Sequence, residues 1–148
     1  VSVVLGAATL ADAPAISGIL AGWVDETPWL PRIRTPQQDH QIGQWLVEKM
    51  PVTVARKDGA LPGFMAQRGD EIHALYIAPD ARGVGVGALL LAKAKTRSER
   101  LTLWCHQANT GARRFYARHG FEEIQTGDGQ GNDEKLPDVY LVWTRGKP

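Results

Sequence analysis

The densest run of residues able to do chemistry is Ile77-Ala78-Pro79-Asp80-Ala81-Arg82-Gly83-Val84-Gly85-Val86-Gly87-Ala88. Apolar residues before it read as a strand and those after it as a helix, so its glycines occupy a strand-to-helix junction. The first turn of a helix carries unpaired N–H donors and a partial positive charge, which suits a pyrophosphate. Arg82 adds a cation beside it. Such a loop does not name its ligand, because glycines also serve plain turns. A Walker A loop needs Lys-Ser/Thr after the last glycine, and Ala88-Leu89 follows Gly87 instead. The dinucleotide fingerprint is met in form at Gly83, Gly85 and Ala88, but it also requires an acid about 20 residues on. That stretch reads Leu103-Trp104-Cys105-His106 and holds none.

A second constellation follows. Leu101-Thr102-Leu103-Trp104 reads as a short strand; Asn109 can cap a helix with Ala112, Phe115, Tyr116 and His119 on its inner face, and Gly120 stops it before Phe121-Glu122. Arg82, Gly85 and Gly87 fill the pattern Arg/Gln-x-x-Gly-x-Gly/Ala. Taken with Asn109, the Phe-Tyr pair and the closing Gly-Phe, the stretch 71–122 resembles the GNAT superfamily of N-acetyltransferases.

The resemblance implies direct transfer of an acetyl group from acetyl-CoA to a primary amine in a ternary complex. It also implies a cofactor site. Leu75, Tyr76 and Ile77 would offer backbone bonds to pantetheine and acetyl, and Arg82, Gly83, Val84, Gly85, Val86, Gly87 and Ala88 would wrap the pyrophosphate. Asn109 would bond the pantetheine region, with Tyr116 near the sulfur. An alkylammonium, with an ordinary pKa of about 10.4, must lose a proton before it attacks. The oxyanion that then forms could be met by the N–H of Ile77, and Tyr116 is the natural donor to the leaving thiolate. In the histone-acetylating branch a glutamate stands on the same strand at the same separation, and Glu71 matches it. Glu71 is therefore the first candidate base. Simple alternation puts His73 on the same strand face, where an imidazole would suit a base or relay. The alternative is that both only orient the acceptor while water moves the proton. The segment 29–34, with Trp29 and Arg32, lies where this family builds its acceptor wall. Packing is the other reading of those two residues.

The elements that must position these residues are legible too. Val1, Val3 and Leu5 alternate as an opening strand, and Thr9 with Asp12 reads as the start of a helix carrying Ile16, Ile19, Leu20 and Trp23 on one face. Thr35-Pro36-Gln37-Gln38 opens a second helix, with Ile42, Trp45 and Leu46, that ends at Met50-Pro51. Strands follow at 52–56, 61–67 and 71–77, the first two joined by Asp58-Gly59. A helix over 86–98 comes next, then strands at 101–104 and 121–125, a glycine-rich loop at 127–132, and a last strand with Val139, Leu141 and Trp143. The order β-α-α-β-β-β-α-β-α-β-β makes one α/β (α+β) domain over 1–148. With the resemblance, the expected fold is a mixed, mostly antiparallel sheet of about seven strands, splayed at a central parallel pair and flanked by about four helices.

Composition narrows the rest. Seventeen Lys and Arg against 16 Asp and Glu give a net charge of +1, so no polyanionic partner such as DNA is expected. A single cysteine, Cys105, excludes an internal disulfide and reads as core rather than nucleophile, since direct transfer needs none. His40, His73, His106 and His119 lack ligand spacing, so no metal is expected. Lys93, Lys95 and Arg97 read as a solvated helix face, with the CoA 3′-phosphate as the other reading. No apolar run reaches the ~20 residues of a membrane span and no signal-peptide pattern opens the chain, so a cytoplasmic location is expected. The acceptor, a small-molecule or peptide amine, and the number of copies, a homodimer included, stay open. The readings outside transfer are an acyl-CoA-binding module without turnover and a dinucleotide oxidoreductase.

Overall fold

The computed structural model describes residues 3–146. In chain order it holds β1 (Val4–Ala7), α1 (Ala13–Asp25), α2 (Pro36–Lys49), β2 (Val52–Lys57), β3 (Ala60–Arg68), β4 (Glu71–Ile77), α3 (Val86–Arg97), β5 (Arg100–His106), α4 (Thr110–Arg118), β6 (Glu122–Gly127) and β7 (Asp138–Thr144). This is the expected order, with short 3-10 turns added at Leu10–Asp12 and Pro79–Ala81.

Local chemistry sets the ends of these elements. Thr35 Oγ1 accepts from Gln38 N at 3.2 Å and Gln38 Oε1 accepts from Thr35 N at 2.9 Å, so both orphan donors at the start of α2 are met. Asn109 Oδ1 accepts from Ala112 N at 3.2 Å and starts α4. The turn before α1 is held through Asp12, which accepts from Thr9 N at 2.9 Å and from both terminal nitrogens of Arg56 at 2.8 and 2.7 Å. That Arg56 contact, opposed by burial, holds the Asp12 carboxyl below its ordinary value. Where α1 crosses α2, a Cβ on Gly43 would sit 2.1 Å from Ala13 O, so only glycine lets the helices meet. Ser17 Oγ stitches the crossing, donating to His40 O at 3.0 Å and accepting from Gly43 N at 2.8 Å.

The seven strands form one sheet in the order β1-β2-β3-β4-β5-β7-β6, antiparallel except for β4–β5. Adjacent residues alternate between two cores, as a pleated strand requires: Val54 and Phe64 pack on one face, Ala55 and Met65 on the other. On the first face the partners are Ile16, Ile19 and Leu20 of α1 and Leu46 of α2. On the second they are Leu90, Leu91 and Ala94 of α3 and Tyr116 of α4. Each such aliphatic or aromatic side chain contributes about 1.5–3 kcal/mol by leaving water.

Three expectations need correction. β1 begins at Val4, after Val3, and Val1 lies outside the described residues. Lys95 is not part of a purely solvated face: its ammonium donates to His119 O at 2.7 Å and lies 5.0 Å from the Trp143 ring centre. The third concerns β4. Ala66 pairs with Ala74 but Gln67 with Ile72, so His73 is the extra residue of a bulge. Ile72 therefore enters one core and Ala74 the other, although they are two residues apart. Strict alternation therefore breaks at His73 and does not run on to Ala74.

Candidate active site

β4 and β5 are paired at a single position, Glu71 opposite Thr102, where Thr102 N donates to Asp70 O at 2.9 Å. Beyond it the strands part, so the β5-facing edge of Leu75, Tyr76 and Ile77 meets no partner strand. The gap opens into a cavity of about 760 Å³. Its walls are that edge of β4, the loop residues Arg82, Gly83 and Gly85, the first turn of α3, and Asn109, Ala112, Phe115 and Tyr116 from α4. Of the residues expected around a cofactor only Val84 is missing from the lining, its side chain being 64% exposed.

Gly85 caps α3 with φ at 89°, a left-handed conformation that side chains resist, and it leaves the first-turn N–H groups facing the cavity mouth. Arg82 does not stand free beside them. Its Nε donates to Ile77 O at 3.2 Å and its guanidinium pairs with Glu26 at the end of α1.

Tyr116 is 8% exposed, wedged against Phe115 and Phe121 with ring centres 5.3 Å away in each case. Burial pushes its phenol well above the ordinary value, with Cys105 and Tyr76 adding to the shift, so it carries its proton at neutral pH. Among the described residues nothing hydrogen-bonds its hydroxyl. On the same wall, burial first and Lys95 and Arg118 next hold the His119 imidazole below its usual range.

A second cavity of about 670 Å³ shares Trp23, Leu75, Tyr76, Asn109, Ala112 and Tyr116 with the first. Glu71, Asp128, Asp133, Glu134 and Asp138 line it, with no lysine or arginine. Glu71 and His73 both reach this space, although both are exposed. A hollow of about 190 Å³ adjoins it, sharing His73, Tyr76, His106, Asp133 and Glu134 and adding Arg32 and Arg34. The expected acceptor residues thus fall in different places: Trp29 lines the first cavity, while Arg32 and His73 meet in the hollow. Arg32 is already engaged with Asp25 and with Asp39 at 3.5 Å.

Sequence reasoning missed three residues. Trp23 lines all three spaces and touches Tyr76, ring centres 5.0 Å apart, and Trp29, 6.1 Å apart. His106 ends β5 with Nε2 3.3 Å from Glu134 Oε1 and its ring edge-on to Trp29 at 5.6 Å. Burial pushes the Tyr76 phenol up to about 12, and the Glu134 carboxylate adds to that shift. The one advance signal was the acidic pair Asp133-Glu134, just beyond the glycine-rich loop at 127–132. Cys105 is buried, and burial pushes its thiol up to about 11, so it is packing and not a nucleophile at neutral pH. Among the described residues no cluster of His, Cys, Asp or Glu has the makings of a metal site, and no helix is long and apolar enough to cross a membrane.

Residues 48–123 match the acetyltransferase (GNAT) domain family. The chain belongs to that family. The parallel β4–β5 pair and the glycine loop both lie within the matched residues. Among curated relatives, the peptidyl-lysine N-acetyltransferase YjaB of Salmonella typhimurium is 41% identical over 94 residues, 63% of this chain and 65% of that protein, just under two thirds of its length. Among solved structures, apo YjaB from Escherichia coli superposes with a TM-score of 0.82 at 23% identity, over 97% of this chain and 98% of that one. A phosphinothricin acetyltransferase from Sinorhizobium meliloti, solved in complex with AcCoA, gives 0.76 at 19% identity over 97% and 89%. At these identities the two structures show the shared GNAT fold.

Proposed function

We propose that this protein transfers an acetyl group from acetyl-CoA to a cationic primary amine, and that a peptidyl lysine is the first acceptor to test. One observation carries the reading: two cavities meet at a wall holding both the unpaired edge of β4 and the protonated Tyr116 phenol. The first cavity suits the cofactor. First-turn N–H groups of α3 bind the pyrophosphate, and the backbone of Leu75, Tyr76 and Ile77 receives the pantetheine arm as a missing strand would. Glu26 must release Arg82 for its charge to help. The second cavity suits the acceptor, because carboxylates without opposing lysine or arginine attract an ammonium. Glu71, exposed at its rim, draws and orients that ammonium. YjaB carries the name peptidyl-lysine N-acetyltransferase, which supports the same acceptor class here.

Attack by the free amine on the thioester carbonyl puts charge on the oxygen, which the Ile77 N–H is set to meet. The C–S bond then breaks, and the Tyr116 hydroxyl gives its proton to the thiolate. No enzyme nucleophile intervenes. The test is thiol release from acetyl-CoA with lysine peptides and small amines. Acetylated product with one CoA freed per amide supports the reading. Tight CoA binding with no transfer to any amine overturns it and leaves a binding module.

A further inference from the structure

We propose that His106, oriented by Glu134, takes the proton from the acceptor ammonium. This rests on the acetyl-transfer reading and fills the step it leaves open, since an ammonium has no lone pair with which to attack. His106 is the last residue of β5, on the open side of the splay, and it lines both the second cavity and the adjoining hollow. Its Nε2 lies 3.3 Å from a Glu134 carboxylate oxygen, which favours a proton on Nε2 and a lone pair on Nδ1. Nδ1 is buried and has no hydrogen-bond partner among the described residues. A buried acceptor left in that state is destabilising, and an N–H from a bound amine would offset that cost. The ring is fixed from a second side by Trp29, itself packed on Trp23 at the cofactor wall.

The other two groups are less well held. Glu71 is exposed at the closed end, where β4 and β5 are still paired. His73 sits exposed on the bulge, 6.3 Å from the Trp45 ring. Among the described residues neither has a partner comparable to Glu134.

The step balances. An ammonium N–H bond breaks, its proton moves to Nδ1, and the electron pair stays on the amine. The resulting imidazolium is countered by Glu134. The amine forms the C–N bond, the thiolate leaves with the Tyr116 proton, and the excess proton on the new amide nitrogen returns to the phenolate. His106 then passes its proton to water.

Glu134 stands beside the ring and Asp138 opposite it in β7, while Asp133, Asp128, Glu71, His73 and Tyr76 line the same cavity and Arg32 and Arg34, both paired with Asp39, line the hollow. Carboxylates ordinarily titrate near 4, and Tyr76 titrates at about 12. A fall in kcat/KM on the acid side of neutrality therefore reports an imidazole. The experiment is the pH profile of kcat/KM with acetyl-CoA and a lysine peptide, with CoA affinity by calorimetry as the control for folding. His106→Gln should lower kcat by about 100-fold and abolish the acid limb while CoA Kd holds within about threefold. His73→Gln should keep the limb. Glu134→Gln removes the group that orients the ring and should lower kcat by about tenfold while CoA Kd and KM for acetyl-CoA hold. Free imidazole should restore part of the turnover of His106→Gly. Full activity with an unchanged limb in His106→Gln overturns the assignment, as does a limb lost in Glu71→Gln but kept in His106→Gln. If His106→Gln fails to bind CoA, Glu134→Gln decides, and an unchanged kcat there overturns it. A wild type that binds CoA yet acetylates nothing overturns the acetyl-transfer reading itself, an outcome distinct from all of these.

Discussion

The cavity beside α3 draws mainly on two stretches close in sequence, 75–88 and 109–119, whereas the cavity facing the loop before β7 gathers Trp23, Glu71, His106 and Glu134 from four separate segments. The first is largely backbone: a strand edge, a left-handed glycine and the start of a helix. The second is side chains, most of them charged or aromatic. Backbone geometry is dictated locally and tolerates many neighbours. Side-chain walls depend on register across the sheet. The difference teaches which half of such a site a motif can specify, and which half must be seen folded.

Substitutions sharpen this contrast. The largest effect belongs where the cavities meet: Tyr116→Phe should lower kcat by about 100- to 1,000-fold with CoA Kd within about threefold, measured by steady-state kinetics and calorimetry. Equal loss in binding and turnover would mean that the phenol serves the cofactor cavity alone. Next, Gly85→Val puts a branched side chain at φ 89°, a conformation costing about 1–2 kcal/mol. CoA Kd should rise about tenfold, near 1.4 kcal/mol, while KM for the amine at saturating cofactor stays put. A matching rise in amine KM would break the distinction between the two cavities.

The smallest effect should spare both. Asp12→Ala removes the acceptor of Thr9 N and of two hydrogen bonds from the half-exposed Arg56, at about 2 kcal/mol in urea melts. Arg56 holds the Asp12 pKa down in the folded state, so this stability is present above the unfolded value near 4 and is lost as pH falls through the folded one. The gap between wild type and variant should close in acid. A gap that persists there would assign the loss to packing.

Much of the fold was readable, because capping pairs, prolines and glycines mark element ends locally. Thr35 with Gln38, Asn109, and Asp58-Gly59 each stand where the chain changes direction. Strand order was less accessible. β7 inserts between β5 and β6, a pairing of segments over 30 residues apart that no local pattern encodes. The bulge at His73 was hidden for a related reason: Glu71-Ile72-His73-Ala74 alternates faultlessly, and the extra residue shows only against β3. The wall of the cavity beside α3 was legible because its residues lie in two short stretches whose glycines and Asn109 mark element ends. His106 and Glu134 were not, since they are 28 positions apart and meet only once β5 and β7 are in register.

The single rung between β4 and β5 makes the sheet two ladders, one of four strands and one of three, and the packing around α3 is what spans them. A molecule lodged in the cleft then acts as mortar as well as reagent. By mass action, occupancy at a hundred times the dissociation constant adds about 2.7 kcal/mol of resistance to unfolding. Under the proposed function that molecule is an acyl thioester, and thermal tolerance is then tied to its supply.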